Sequence, residues 1–247
     1  MIDFTPQAYE ALCNALISCN IKFELRHDVD QRPDRAIRIA HIEHQKGLKA
    51  TYYFRRNDIY HSEPAIQQIA QLGHDIGYHY ETVAECNGDL SAAYNLFCRD
   101  LDFLRRIAPV EKMCAHGSPR SKYDNQKLWR RYNYHTLGIT HDSMIDTDFS
   151  KTLYLTDTGR CWNGWRYSIR DKVNNMQIIW EDEGLIFHTT ENIIQALNTL
   201  QHSIHNHSLL INTHPQRWMP VGAGWLAELV LQNIKNQVKR ALICIKY

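Results

Sequence analysis

The stretch Leu25-Arg26-His27-Asp28-Val29-Asp30 closes the first apolar run of the chain, Ile21 to Leu25, and its reading decides the fold. The run predicts a strand, and side chains along a strand alternate between faces, so Asp28 and Asp30 point the same way at its C-terminal end. Two carboxylates side by side repel. A shared proton, an arginine or a bound cation must relieve that repulsion. Aspartate also caps turns after strands, so the pair alone does not make a site. Its partners have to come from elsewhere in the chain.

Outward from this stretch, strand and helix signals alternate. A helix is expected after Pro6, with Thr5 as N-cap, and another from Pro33 to Gly47. Ala50–Phe54 is β-branched and aromatic and predicts a second strand; Glu63 to Leu72 predicts a helix stopped by Gly73, and residues 74–79 a third strand. Leu90 to Ile107 has helical periodicity and stops before Pro109, and Met113 to His116 predicts a fourth strand. A helix around Lys127 to Tyr132 comes next, and the periodicity from Leu137 to Trp180 is weak. A strand at Leu185–His188, a helix from Thr190 to Ile204 capped by Thr190, a buried strand at 209–213 and an amphipathic helix from Trp225 to Val238 complete the chain. This alternation predicts an α/β protein with a parallel sheet, open or closed into a barrel, and ligands at the C-terminal ends of the strands.

Several of those ends carry groups suited to metal or acid–base chemistry: Asp28 and Asp30 on the first strand, His79 and Glu81 on the third, His116 on the fourth and His214 on the last. One histidine after a strand is commonly a packing residue; several converging on one rim are not. An oxygen from Asp30 with imidazole from His79 suits zinc or another divalent first-row ion, and leaves Asp28 to accept a proton. His74 reads as structural. Trp162, Trp218 and Trp225 read either as core or as an apolar wall for a sugar ring, and Asp157 and Arg160 as a pair shaping the rim.

Totals narrow the function. The chain has 247 residues, 44% hydrophobic and 22% charged, as expected of one large globular domain. A formal net charge of +1 gives no general reason to bind nucleic acid or an acidic membrane, so a charged ligand must be recognised locally. Seven scattered cysteines form no disulfide framework and no Cys-x-x-Cys pair. No run is apolar and long enough for a signal segment or a bilayer span, and the expected location is a reducing cytoplasm. Fourteen histidines is the unusual count, and it directs attention to metal ligands.

In the order of these motifs the chain resembles the polysaccharide deacetylase family, carbohydrate esterase family four. Arg26-His27-Asp28-Val29-Asp30 matches its first motif, Gly73-His74-Asp75-Ile76-Gly77 leading to His79 its second, and Leu210-Ile211-Asn212-Thr213-His214 its last. Thr156-Asp157-Thr158-Gly159-Arg160 and His214-Pro215-Gln216-Arg217-Trp218 are most similar to a branch associated with surface-polysaccharide (O-antigen) synthesis. The resemblance covers most of residues 21 to 218. It implies a distorted (β/α) barrel spanning 1–247 as a single domain, and a divalent metal, zinc first. It implies removal of an N-acetyl group from an amino sugar, with Asp28 as base, Asp30 and His79 on the metal, and His214 as acid. Asp157, Arg160 and Trp218 are expected at the substrate. The family's second metal histidine comes four residues after the first, where this chain has Val83, so Glu81 or His116 is expected to complete the metal set. Cys114-Ala115-His116-Gly117-Ser118-Pro119 replaces the family's arginine motif, leaving Arg26, Arg160 or His116 to orient Asp28. The competing expectation, favoured by Val83, is a non-catalytic descendant that binds carbohydrate or a partner enzyme.

Overall fold

The first strand, β1 (Phe23–Val29), begins two residues later than the apolar run predicts and takes His27 and Asp28 into the strand itself. From Leu25 onward every residue of β1 is buried, the pattern of a strand with both faces covered. The computed structural model describes residues 1–163, 168, 170–199 and 203–246, without the side chains of 57, 58, 174 and 240–246. Before β1 comes α1 (Pro6–Ser18), whose N-cap Thr5 accepts from the Ala8 N–H. After it come α2 (Pro33–Gln45), β2 (Ala50–Arg55), α3 (Arg56–Ile59), α4 (Glu63–Gln71), β3 (Asp75–Tyr80), α5 (Thr82–Glu85), α6 (Leu90–Ile107) and β4 (Val110–Ala115). The remainder comprises β5 (His141–Asp142), β6 (Thr152–Thr156), α7 (Asn174–Asp182), α8 (Thr190–Asn198), β7 (Ser208–Thr213) and α9 (Ala223–Lys246).

These elements fall into two compact units. One holds residues 27–44 and 48–147, and the other 1–26, 45–47 and 148–247. In the first, hydrogen-bonded neighbours run β5-β4-β3-β2-β1, and the β2/β3, β3/β4 and β4/β5 ladders are parallel. Arg55 lies opposite His79, and His79 opposite Cys114, so the C-terminal ends of β2, β3 and β4 finish together. The core is unusually aromatic: Tyr52, Tyr53, Phe54, Tyr78, Tyr80 and Phe97 are all fully buried. Each buried hydroxyl needs a partner. Asp100, sealed on α6, accepts from Tyr60 and Tyr78 at 2.7 Å each, and Glu43 on α2 accepts from Tyr52 at 2.5 Å while holding His27 at 2.7 Å. The predicted structural role of His74 is observed, its ring bonded to the Ala40 carbonyl and the Ala50 N–H.

In the other unit β6 pairs in parallel with β7, and the start of β1 lies beside β7. Trp218 packs edge-on against Phe4 and Tyr9 at the centre of its core.

Three sequence expectations change. Leu185–His188 is not a strand: Gly184 at φ 75 turns the chain in and Thr189 caps the next helix, and Leu185 and Phe187 are buried in the connection between them. Helix α8 is capped by Thr189, not Thr190, and ends at Asn198; positions 200–202 of the expected helix lie outside the described residues. The Lys127–Tyr132 helix is a short 3-10 turn over Asn125–Arg130. Strands β5 and β6 lie within the section of weak periodicity, and part of that section, 164–167 and 169, also lies outside the described residues.

Gly77 explains a glycine inside β3. It pairs with Tyr53, and a Cβ built on Gly77 would overlap the Tyr53 ring. The backbone of β3 therefore approaches β2 at a place where only a missing side chain leaves room for the tyrosine. Gly77→Ala is expected to destabilise the protein by about 2 kcal/mol, the usual cost of overpacking a tight core. Urea unfolding measures this, with Gly73→Ala as a control where a Cβ meets nothing within 4 Å but φ is +91. Partial recovery in Gly77→Ala/Tyr53→Phe would argue against the ring itself as the obstacle.

Candidate metal and acid–base centre

Parallel strands that end in register deliver their last side chains to one place. Asp28 is the next-to-last residue of β1 and is buried; Asp30 follows the strand and is half-buried. His79, next to last in β3, is 2% exposed. Its Nε2 lies 3.8 Å from an oxygen of Asp28 and 3.7 Å from one of Asp30. Its Nδ1 lies 3.1 Å from the Cys114 carbonyl. A carbonyl only accepts, so Nδ1 carries the hydrogen, and Nε2 is the ring atom that faces the two carboxylates. Two carboxylates converging on one imidazole nitrogen form an arrangement that could hold a cation.

His116 follows β4, and its Nδ1 lies 2.7 Å from Glu81 Oε2. That carboxylate accepts the Nδ1 hydrogen, leaving Nε2 as the donor atom. Glu81 is itself clamped. Arg55, last in β2, donates to its other oxygen through Nε at 3.0 Å and through Nη2, and Ser118 donates its hydroxyl to Oε2 at 3.2 Å. Asn125 ties the loop down by donating to the His116 carbonyl at 2.8 Å and to Ser118 Oγ at 3.0 Å. Ser118 sits at φ 40, a left-handed conformation that L residues avoid and that these bonds hold in place. Burial alone would raise the Glu81 pKa, but hydrogen bonding and charge from His116 and Arg55 outweigh it and lower it to about 2.

Among the described residues, one donor atom each from Asp30, His79 and His116 lie within 4.8 Å of one another, as do one each from Asp28, His79 and Cys114. His79 is common to both groups. Glu81, expected as a possible ligand, is absent from both, and its oxygens accept from Arg55, His116 and Ser118. It orients His116. Val83 is buried in α5.

The second unit holds its own acid–base group. Asp157 follows β6 and His214 follows β7, neighbouring strands that again end together. His214 donates its backbone N–H to the Asp157 carboxylate at 3.0 and 3.1 Å, and its Nδ1 lies 2.6 Å from Oδ1. Arg217 Nη1 reaches the same oxygen at 2.7 Å and Trp218 Nε1 the other at 2.8 Å. Burial pushes the Asp157 pKa up, but the charges of Arg217 and His214 prevail and hold it below the ordinary carboxylate value. An ionised aspartate on Nδ1 fixes the tautomer and offsets the charge when Nε2 takes a proton.

The roles expected for Asp157, Arg160 and Trp218 at a substrate rim are therefore corrected. Asp157 has no exposed surface, Trp218 is 1% exposed, and the Arg160 guanidinium is buried over the Trp225 ring and donates to Glu228 at 2.6 Å. Sequence reasoning missed Arg55, Cys114 and Arg217. The first two become visible only when the β2/β3/β4 register is known, and Arg217 stood within a quoted motif without a role.

No protein-family model matches the chain, and no curated protein does. Solved structures to which it is similar include a family 4 carbohydrate esterase from Streptomyces lividans in complex with acetate, 14% identical over 90% of this chain and 91% of that one, TM-score 0.46. A CE4 esterase from Streptococcus mutans is 12% identical over 96% and 88%, TM-score 0.46. A CE4 family pseudoenzyme from Bacillus anthracis is 11% identical over 88% and 61%, TM-score 0.44.

The depressed Glu81 pKa contributes stability that is present above its ordinary value of 4.5 and lost as pH falls toward about 2. Glu81→Gln should therefore be less stable than the parent by roughly 3 kcal/mol at pH 7, the cost of breaking a buried pair. Denaturant unfolding should show the gap narrowing below pH 4.5; a gap that does not change with pH would mean the carboxylate charge contributes nothing.

Proposed function

We propose that the chain is a divalent-metal carbohydrate deacetylase that removes an N-acetyl group from an amino sugar. The convergence of Asp30, His79 and His116, with both histidine tautomers set by acceptors behind them, carries this reading. Two nitrogens and a carboxylate oxygen form the donor set that zinc favours, with coordination positions left over for other ligands. When bound, such an ion supplies Lewis acidity to an acetyl carbonyl and makes water easier to deprotonate.

The chain's own groups do the rest. Asp28, beside His79 and buried, takes the proton from the attacking water. The amine leaves too basic to depart as an anion, so it needs a proton. The sequence resemblance assigns that donation to His214, and Asp157 and Arg217 hold its ring and tautomer. Under this reading residues 1–247 act as one deacetylase-like domain of distorted (β/α) barrel type. Its substrate is a sugar nucleotide, a lipid-linked sugar or an oligosaccharide of surface-polysaccharide synthesis in the cytoplasm.

The second reading, a non-catalytic carbohydrate-binding descendant, is favoured by Val83, which removes a histidine the family uses. Zinc loading followed by elemental analysis and acetate assay separates the two. The enzyme reading expects one ion per chain, lost in His116→Ala and retained in Asp28→Asn, with acetate release reduced in Asp28→Asn by roughly 10²- to 10⁴-fold. Stoichiometric metal without acetate release would support the binding protein, and no metal at all would refute the site.

A further inference from the structure

Cys114 brings sulfur into the group of donors around His79. It is the next-to-last residue of β4 and lies opposite His79 in the ladder. It acts on that residue twice: its carbonyl meets His79 Nδ1 at 3.1 Å, and its Sγ joins one donor atom each from Asp28 and His79, all within 4.8 Å of one another. The thiol donates to the Ala115 carbonyl at 3.6 Å, a weak bond. Because Nδ1 is committed to a carbonyl, Nε2 is the His79 atom offered both to this set and to the one formed with Asp30 and His116. One ring nitrogen binds one ion at a time. The two donor sets are therefore alternatives.

Burial and softness tell them apart. Asp28, His79 and Cys114 are 3%, 2% and 0% exposed, a closed set, whereas the side chains of Asp30 and His116 keep 19% and 16% of their surface, as an open site requires. A thiolate is polarisable and favours soft ions, while imidazole and carboxylate together suit a borderline ion such as zinc. We infer that Asp28, His79 and Cys114 form a second metal site, for a soft, thiophilic ion of the cadmium or copper(I) class. An ion held there takes His79 from the open set and Asp28 from proton transfer, and so arrests the reaction. The thiol hydrogen leaves to solvent as the sulfur–metal bond forms, and nothing is oxidised. The arrest rests on the reaction proposed above; the binding of a soft ion by these three residues does not.

Cadmium titration of the metal-free full chain tests it, followed by the near-ultraviolet thiolate-to-cadmium absorption band and by X-ray absorption at the cadmium edge. At one equivalent the band should be complete, with one sulfur among the ligands. Cys114→Ser should lose the band, and Asp28→Asn should keep it but weaken binding roughly tenfold. His116→Ala should keep the band although zinc is lost. Zinc-loaded protein should exchange its ion for cadmium, the total staying at one ion per chain. Circular dichroism checks folding, and if Cys114→Ser does not fold, the cadmium edge of the parent and of His116→Ala decides. The site is overturned if the band survives in Cys114→Ser, if it vanishes in His116→Ala, or if zinc and cadmium are held together. Zinc bound through His116 with no cadmium–sulfur band would sink this inference and leave the deacetylase reading standing; the band without any zinc binding would do the reverse.

Discussion

Two carboxylates aimed at one imidazole nitrogen set the terms for the rest of the first unit. Asp28 and Asp30 both come within 4 Å of His79 Nε2, and the Cys114 carbonyl fixes the ring so that this nitrogen faces them. Apolar packing alone would not assemble this arrangement, because burying two carboxylates side by side is costly. A cation bound there would compensate for that cost. The parallel ladders make the convergence possible, since β2, β3 and β4 place Arg55, His79 and Cys114 side by side.

Behind this group stands a support that also accounts for the departure at Val83. Under the metal reading proposed above, His116 from the neighbouring strand end would stand in for a histidine on the following turn, and its ring would need an orienting acid. Glu81 supplies it, held ionised by Arg55 and His116. The apolar position left behind is filled by the valine side chain in the core. The second unit repeats the logic with Asp157 behind His214, again a carboxylate fixing a tautomer from a fully buried position.

Much of this was legible in the sequence because it depends on short periodicities. The alternation of strands and helices, the period-two spacing of Asp28 and Asp30, and the placement of polar groups after apolar runs all survive in the structure. Choosing between Glu81 and His116 was beyond it, because that choice depends on which side chain Arg55 reaches across a ladder. Asp157, Arg160 and Trp218 misled for the same reason: polar and aromatic residues near strand ends read as a rim, whereas reciprocal bonding buries them.

Anomalous diffraction from a zinc-loaded crystal tests the central claim most directly. The account expects one peak with Asp30, His79 Nε2 and His116 Nε2 as ligands at about 2.0–2.2 Å, and Glu81 still bonded to His116 Nδ1. A peak ligated by Glu81, or none near His79, would contradict it.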